Sequence, residues 1–189
     1  MSELLLPPPV VKTTRLEFRL LEESHLNDFH AIWSNPPVAK WSTRGTSHSL
    51  EESRARMDRL FFDPEKPECL NYGVLIRASN SDITINCAMI GVIGVTSLFS
   101  PDTVEIGYIF NQSFWGHGYA SEALAAYIEA YWGYAKGINF MVAKVDPLNM
   151  GSIRVLEKCG FRVVERFVGD IILPELGRRD TNLMKLDRS

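Results

Sequence analysis

Residues 114–124, FWGHGYASEAL, set two glycines two positions apart between an apolar strand-like run and a long amphipathic run. Glycines placed there bring the backbone close to something and mark the passage from strand to helix. A chain organised around that passage belongs among the mixed folds, in which helices pack on the faces of a sheet.

The flanking sequence carries the same alternation of element types. RLEFRL alternates Leu16, Phe18 and Leu20 against Glu17 and Arg19, a strand pattern. Ser24 stands where it can cap a helix with Leu26, Phe29, Ile32 and Trp33 on one face. SNPPVAKWSTRGTS reads as a loop, because paired prolines stop a helix. Ser49 and Glu52 form a capping box for a second helix bearing Leu50, Met57, Leu60 and Phe61. NYGVLIRA and CAMIGVIGVTSL are strands joined by a turn at SNSD, and TVEIGYIF is a further strand. The glycines of the second run indicate close packing or a bulge. A long helix is predicted over about 120–136, with Gly137 placed to end it. NFMVAKV is a strand and NMGSIRVLEKCG a short helix closed by Gly160. FRVVERFV and TNLMKLD are the last strands, separated by a loop containing GDIILPELGRR. The order, roughly β-α-α-β-β-β-α-β-α-β-β, predicts an α+β (mixed α/β) fold: a central twisted sheet of about six to seven strands with helices on both faces.

The 189 residues, 46% hydrophobic and 23% charged, suffice for one domain with a core that needs no staples. Residues 1–11 read as a flexible lead-in, with no basic stretch and three prolines, and 12–189 as a single domain. No window of about 18 apolar residues suggests a membrane span. A net charge of −3 gives no broad basic field for nucleic acid or an anionic membrane. Three scattered cysteines, Cys69, Cys87 and Cys159, lack CxxC spacing, which argues against a disulfide framework or a zinc site and for a cytoplasmic location.

The first turn of a helix has N–H groups without internal partners and a partial positive charge, and a glycine approach lets an anionic group reach them. On this reading Gly118 is the key position, with Ala120 the next tightest; a plain strand-to-helix turn explains Gly116 and Gly118 equally well. No GxxxxGK[ST] occurs, and Ser121 stands where a dinucleotide fingerprint needs its third glycine.

FWGHGYASEAL, followed some 30 residues later by VDPLNMGSIRVLEKCGF and preceded by RLEFRL and EIGYIF, resembles the GCN5-related N-acetyltransferases (GNAT). Within them the match is to the RimJ/RimL type of ribosomal-protein N-terminal acetyltransferase, over residues 12–187. The resemblance implies an acetyl-coenzyme A co-substrate whose pyrophosphate lies on the amides of Gly116, His117, Gly118, Tyr119, Ala120 and Ser121. Trp115 stands at the place of the family's glutamine or arginine, losing a polar side chain but no backbone donor. The strand holding Tyr108, Ile109 and Phe110 is expected to part from FMVAKV and take the pantetheine arm in the gap. Asn149 matches a cofactor-contacting asparagine and is equally well read as a helix cap.

Acetyl transfer to an amine needs a base, a stabilised oxyanion and a tolerated thiolate. Alternation puts Glu105, Gly107 and Ile109 on one strand face, and a carboxylate among such neighbours needs a cleft or a partner. The resemblance makes Glu105 the base, holds the oxyanion on a backbone N–H near Gly107 or Tyr108, and sets the Ser152 hydroxyl near the sulfur. A family tyrosine seven positions after Asn149 is Leu156 here. Trp33, Trp41 and Arg44 flank a loop that borders the acceptor site in the family, and the 169–180 loop forms its other wall. His25 and His30 have the wrong spacing for a metal, no metal is expected, and the stripe Tyr127, Tyr131, Trp132 reads as core. The implied function is N-acetyl transfer by direct attack in a ternary complex, by a monomer or homodimer. The acceptor is a protein N-terminal α-amine or a small amine; the alternative is a non-catalytic acyl-coenzyme A-binding sensor or scaffold.

Overall fold

The computed structural model describes residues 8–77 and 88–188; the turn expected at 79–82 and Cys87 lie outside them. Alternating apolar residues form β1, Leu16–Leu20, whose neighbour β2, Asn71–Ile76, is buried along almost its whole length. β3, Met89–Ser100, and β4, Thr103–Phe110, make an antiparallel hairpin. β5, Phe140–Val145, lies parallel to β4, and β6, Arg162–Leu173, pairs with β7, Gly177–Asp187. Together they form one seven-stranded mixed sheet in the order β1-β2-β3-β4-β5-β7-β6. The packing reaches back before residue 12, since Val11 is buried and the Tyr72 hydroxyl donates to the Pro9 carbonyl at 2.7 Å.

Each face of the sheet has its own core. On one side α1, Leu26–Trp33, and α3, Leu50–Met57, set Leu26, Phe29, Ile32 and Met57 against Leu75, Met89 and Val92. On the other, α4, Tyr119–Tyr134, and α5, Met150–Lys158, set Leu124, Tyr127, Tyr131, Ile153 and Leu156 against Val74, Ile93, Val104 and Ile106. The aromatic stripe of α4 is core, as its spacing suggested. The Tyr127 and Tyr131 hydroxyls donate to the Leu70 and Glu68 carbonyls at 2.8 Å, so neither polar tip is left unpaired.

Five sequence expectations change. The paired prolines begin a helix instead of preventing one: α2, Pro36–Ala39, carries Pro at its first position, where the missing N–H has no partner to lose. Ser24 lies inside a short 3-10 turn, Glu23–His25, and the Glu22 N–H donates to His25 Nδ1 at 3.2 Å, so the chain turns in before Ser24. The Ser49 hydroxyl oxygen does accept from the Glu52 N–H, but the Glu52 carboxylate accepts from the His48 N–H, and Leu50 faces solvent. α4 closes at Ala135, ahead of Gly137, and the Arg188 guanidinium donates to the carbonyls of Trp132, Ala135, Lys136 and Ile138. Finally, most of 169–180 belongs to the β6–β7 hairpin. Gly169, at φ +60°, makes a bulge whose N–H donates to the Asp180 carboxylate at 2.9 Å, so polar residues that looked like a loop serve the bulge itself.

Gly160 ends α5 as expected. At φ +89° it lets its own N–H reach the Glu157 carbonyl and the Phe161 N–H reach the Leu156 carbonyl, both at 3.0 Å, while Phe161 and Leu156 are buried.

Close packing in β3 sets a test. A Cβ at Gly94 would lie 2.1 Å from Asn71 Oδ1 and 2.7 Å from the Asn71 Cα. Gly94→Ala should therefore destabilise by about 1–3 kcal/mol in urea unfolding. Gly133→Ala, in a helix with nothing within 4 Å of the new methyl, should be neutral or stabilise by up to about 1 kcal/mol.

Candidate active site

The site begins where β4 and β5 separate. Their parallel pairing covers only Thr103 with Phe140, Val104 with Met141 and Glu105 with Val142. Beyond it β5 follows β7, pairing Ala143 with Met184 through Val145 with Asn182, while β4 follows β3. The edge of β4 that faces β5 is thus left without a strand opposite from Ile106 onward. A cavity of about 720 Å³ opens there. Tyr108, Ile109 and Phe110 line it from β4, the start of α4 and its loop form one end, and Asn149 and Ser152 line it from α5. Lys40, Arg154 and Lys158 also line it, and among the described residues no carboxylate does.

The loop before α4 owes its shape to its glycines. Gly116 and Gly118 sit at φ +80° and +79°, the left-handed region that side chains avoid. Gly118 is the residue before the first turn of α4 and has no side chain to cap it, so the N–H groups of Tyr119, Ala120 and Ser121 have no partner within the helix. A Cβ at Gly116 would meet nothing within 4 Å, and one at Gly118 only Arg15 Nη2 at 3.7 Å. Trp115 ties the loop to the end of β4, its indole N–H donating to the Phe110 carbonyl at 2.9 Å. His117 is exposed, stacked on Tyr119, and its Nδ1 lies 2.9 Å from the Trp115 carbonyl; it is not among the lining residues.

Arg15, which the sequence showed only as part of a strand motif, clamps this loop. Its Nη1 donates to the His117 carbonyl at 3.0 Å, its Nε donates to the Glu122 carboxylate at 2.7 Å, and its guanidinium lies 4.5 Å over the Tyr119 ring. The Thr13 hydroxyl adds a second donor to Glu122. Hydrophobic periodicity carries no trace of such a contact, since Arg15 and Glu122 are 107 positions apart.

The start of α5 answers from across the cavity. Asn149 Oδ1 accepts from the Ser152 N–H at 3.2 Å, so the asparagine is a helix cap that also faces the cavity. The Tyr108 hydroxyl reaches over the gap to Ser152, 2.8 Å from its Oγ and 3.0 Å from its carbonyl oxygen. Burial pushes the Tyr108 phenol well above its ordinary value, although the Ser152 hydrogen bond pulls the other way. The Cys159 thiol, raised by burial, donates to the Ser121 carbonyl and braces α5 on α4.

Glu105 occupies the last position of β4 paired with β5, and its Oε2 accepts from the Ser97 hydroxyl at 3.0 Å. It is half-buried, on the opposite face of β4 from Tyr108, and does not line the cavity. Of the three residues expected near the acceptor, Trp41 lines the cavity. Trp33 instead packs in the α1–α3 core beneath the Arg56 guanidinium. Arg44 lies in a loop whose carbonyls Arg56 gathers, outside the lining. Among the described residues no cluster of three metal-ligating side chains occurs, and no helix is long and apolar enough to cross a membrane.

The Glu122 clamp has a pH signature. Burial alone would raise this carboxyl, but donation from Thr13 and Arg15 outweighs it and holds the folded value below the ordinary 4.5. The stability it supplies is present above the ordinary value and lost as pH falls through the lower, folded one. Glu122→Gln should therefore cost about 1–2 kcal/mol at neutral pH in urea unfolding. The gap from wild type should close as the pH is lowered below 4.5.

Residues 15–162 match the family described as acetyltransferase (GNAT) domain. The uncharacterized N-acetyltransferase YnaD of Bacillus subtilis (strain 168) is 28% identical over 156 residues, covering 80% of this chain and 82% of YnaD. Among solved structures, a GNAT-family acetyltransferase from Bacillus anthracis shares the fold with a TM-score of 0.79 at 24% identity, over 95% of this chain and 98% of that one. RimJ of Mycobacterium smegmatis, solved with CoA-disulfide, shares it with a TM-score of 0.78 at 18% identity, over 95% and 88%. The chain belongs to the GNAT family of acetyltransferases.

Proposed function

We propose that the protein moves the acetyl group of acetyl-coenzyme A directly to a primary amine within a ternary complex, the amine being a protein N-terminal α-amine or that of a small molecule. The observation that carries this reading is the end of β4–β5 pairing at Glu105 and Val142, with the bare amides of α4 at one end of the resulting cavity.

The donor set suits a diphosphate. Helix amides without internal partners, at the positive end of a 16-residue helix, receive an anion without further adjustment. Lys40, Arg154 and Lys158 add charge around the same cavity. The left-handed glycines at 116 and 118 shape the loop that leads into these amides and place no side chain over them. The free edge of β4 offers N–H and C=O groups to the amides of a pantetheine arm, as an added strand would. Asn149 keeps its Nδ2 group for the same ligand, because its cap uses only Oδ1.

Glu105 then takes the proton of the acceptor amine. The Ser97 hydroxyl engages one of its oxygens, which orients the carboxylate and leaves the other oxygen to accept. An α-amine, with a pKa of about 7.7–8.0 against about 10.4 for lysine, asks less of this base. A β4 amide near Gly107 or Tyr108 holds the developing oxyanion, and the Ser152 hydroxyl stands by the leaving sulfur. Trp41 forms part of the acceptor wall.

Free-thiol release with a panel of amines and N-terminal peptides tests the proposal. Glu105→Gln should lower kcat by at least about 10²-fold while calorimetric affinity for acetyl-coenzyme A stays within about twofold. A sensor or scaffold would bind acetyl-coenzyme A and turn over no amine in the panel.

A further inference from the structure

Tyr108 makes a contact that the proposed mechanism does not use. Its hydroxyl spans the gap between the strand and helix walls of the cavity, and both of its hydrogen-bond distances end on one residue, Ser152. A phenol has one proton to give. The Ser152 carbonyl can only accept, and at the start of α5 it already faces the N–H one turn along the helix. The Ser152 hydroxyl can accept or donate.

Two arrangements follow. If the phenol donates to the carbonyl, the serine hydroxyl turns its own proton to the phenol oxygen and shows the cavity only lone pairs. If the phenol donates to Oγ, the serine proton is released to point elsewhere, with the cavity before it. Negative charge in the cavity favours the second arrangement, and a hydroxyl that accepts one hydrogen bond donates a stronger one.

We infer that Tyr108 is a positioning residue that acts through Ser152, fixing the serine hydroxyl as a hydrogen-bond donor to the thiolate that leaves when acetyl is transferred. The inference rests on the proposed seat of acetyl-coenzyme A. In the step itself the amine nitrogen bonds to the acetyl carbon as Glu105 takes its proton, and the carbonyl re-forms as the carbon–sulfur bond breaks with its electron pair left on sulfur. The Ser152 O–H stabilises that charge without giving up its proton, and the thiolate then takes a proton from water, which Glu105 replaces. Tyr108 keeps its own proton throughout. Its burial suits this, because a phenol held neutral across the working pH range is a permanent donor.

The sequence hid this pair. Tyr108 and Ser152 are 44 positions apart, and the place where the family resemblance led one to look for a tyrosine, seven residues after Asn149, is Leu156, which is buried in the core.

The test is a double-mutant cycle with Tyr108→Phe and Ser152→Ala, read in two ways. In steady-state kinetics Tyr108→Phe should lower kcat roughly tenfold, less than the ~10²-fold loss of a direct donor, and leave KM for acetyl-coenzyme A unchanged. In the Ser152→Ala background it should have no further effect. In a direct readout, the thiol pKa of bound coenzyme A, followed by ultraviolet thiolate absorbance, should rise in either single variant and no further in the double variant. An unchanged thiol pKa, or a Tyr108→Phe penalty that persists in full without Ser152, overturns the inference and leaves Tyr108 a strut between β4 and α5. If coenzyme A does not bind the wild-type protein at all, the proposed function itself has failed, an outcome calorimetry distinguishes from the other two.

Discussion

Two parallel strands that pair for three residues and then part create the constraint on which this molecule is organised. Inside a sheet every backbone N–H and C=O wants a partner, and a strand edge turned inward without one is a standing demand. β5 resolves its side by staying with β7, and β4 resolves only the side facing β3. What remains is a polar slot between two hydrophobic cores. A thread of amides can satisfy it and a bulky apolar group cannot. The direction of β4 aims that slot at the start of α4, so the seat proposed for a long cofactor follows from strand divergence.

The electrostatics of the cavity run against those of the chain. The protein carries a net −3, yet the lining holds Lys40, Arg154, Lys158 and the positive end of α4, and among the described residues no carboxylate. Two acidic groups close to this cavity in the chain fold stay out of its lining. Glu122 is committed to Arg15 and Thr13, so it stiffens the loop without projecting charge into the cavity. Glu105 lies on the opposite face of β4. Net charge says little about such a site, because the field that a bound anion feels is set over a few ångströms.

That separation explains what the sequence could and could not disclose. Period-two and helical patterns gave the order of the elements, because burying one face of a strand or helix leaves a mark at every second or every third and fourth residue. The glycines at 116 and 118 were legible because only a backbone requirement keeps side chains off two such close positions. The misreadings share a cause. Pro36, Gly137 and Gly169 are local punctuation whose meaning depends on the partner they meet: a helix's first position, a terminal arginine already holding the carbonyls, a bulge closed by Asp180. Arg15 with Glu122 and Tyr108 with Ser152 were illegible for a different reason. They are single contacts between distant segments, and a single contact leaves no periodicity.

One strand thus supplies both sides of the proposed chemistry. Glu105 and Tyr108 stand three positions apart, so alternation sends them to opposite faces of β4. Glu105 takes its orientation from β3 through Ser97, and Tyr108 takes its from α5 through Ser152. The groups assigned to receive a proton and to steady the thiolate therefore belong to different layers of the fold, with the backbone of β4 between them. Specificity for the amine can then change in the α1–α3 layer without disturbing the cofactor layer. That independence is a physical reason for a single sheet geometry to serve many acceptors.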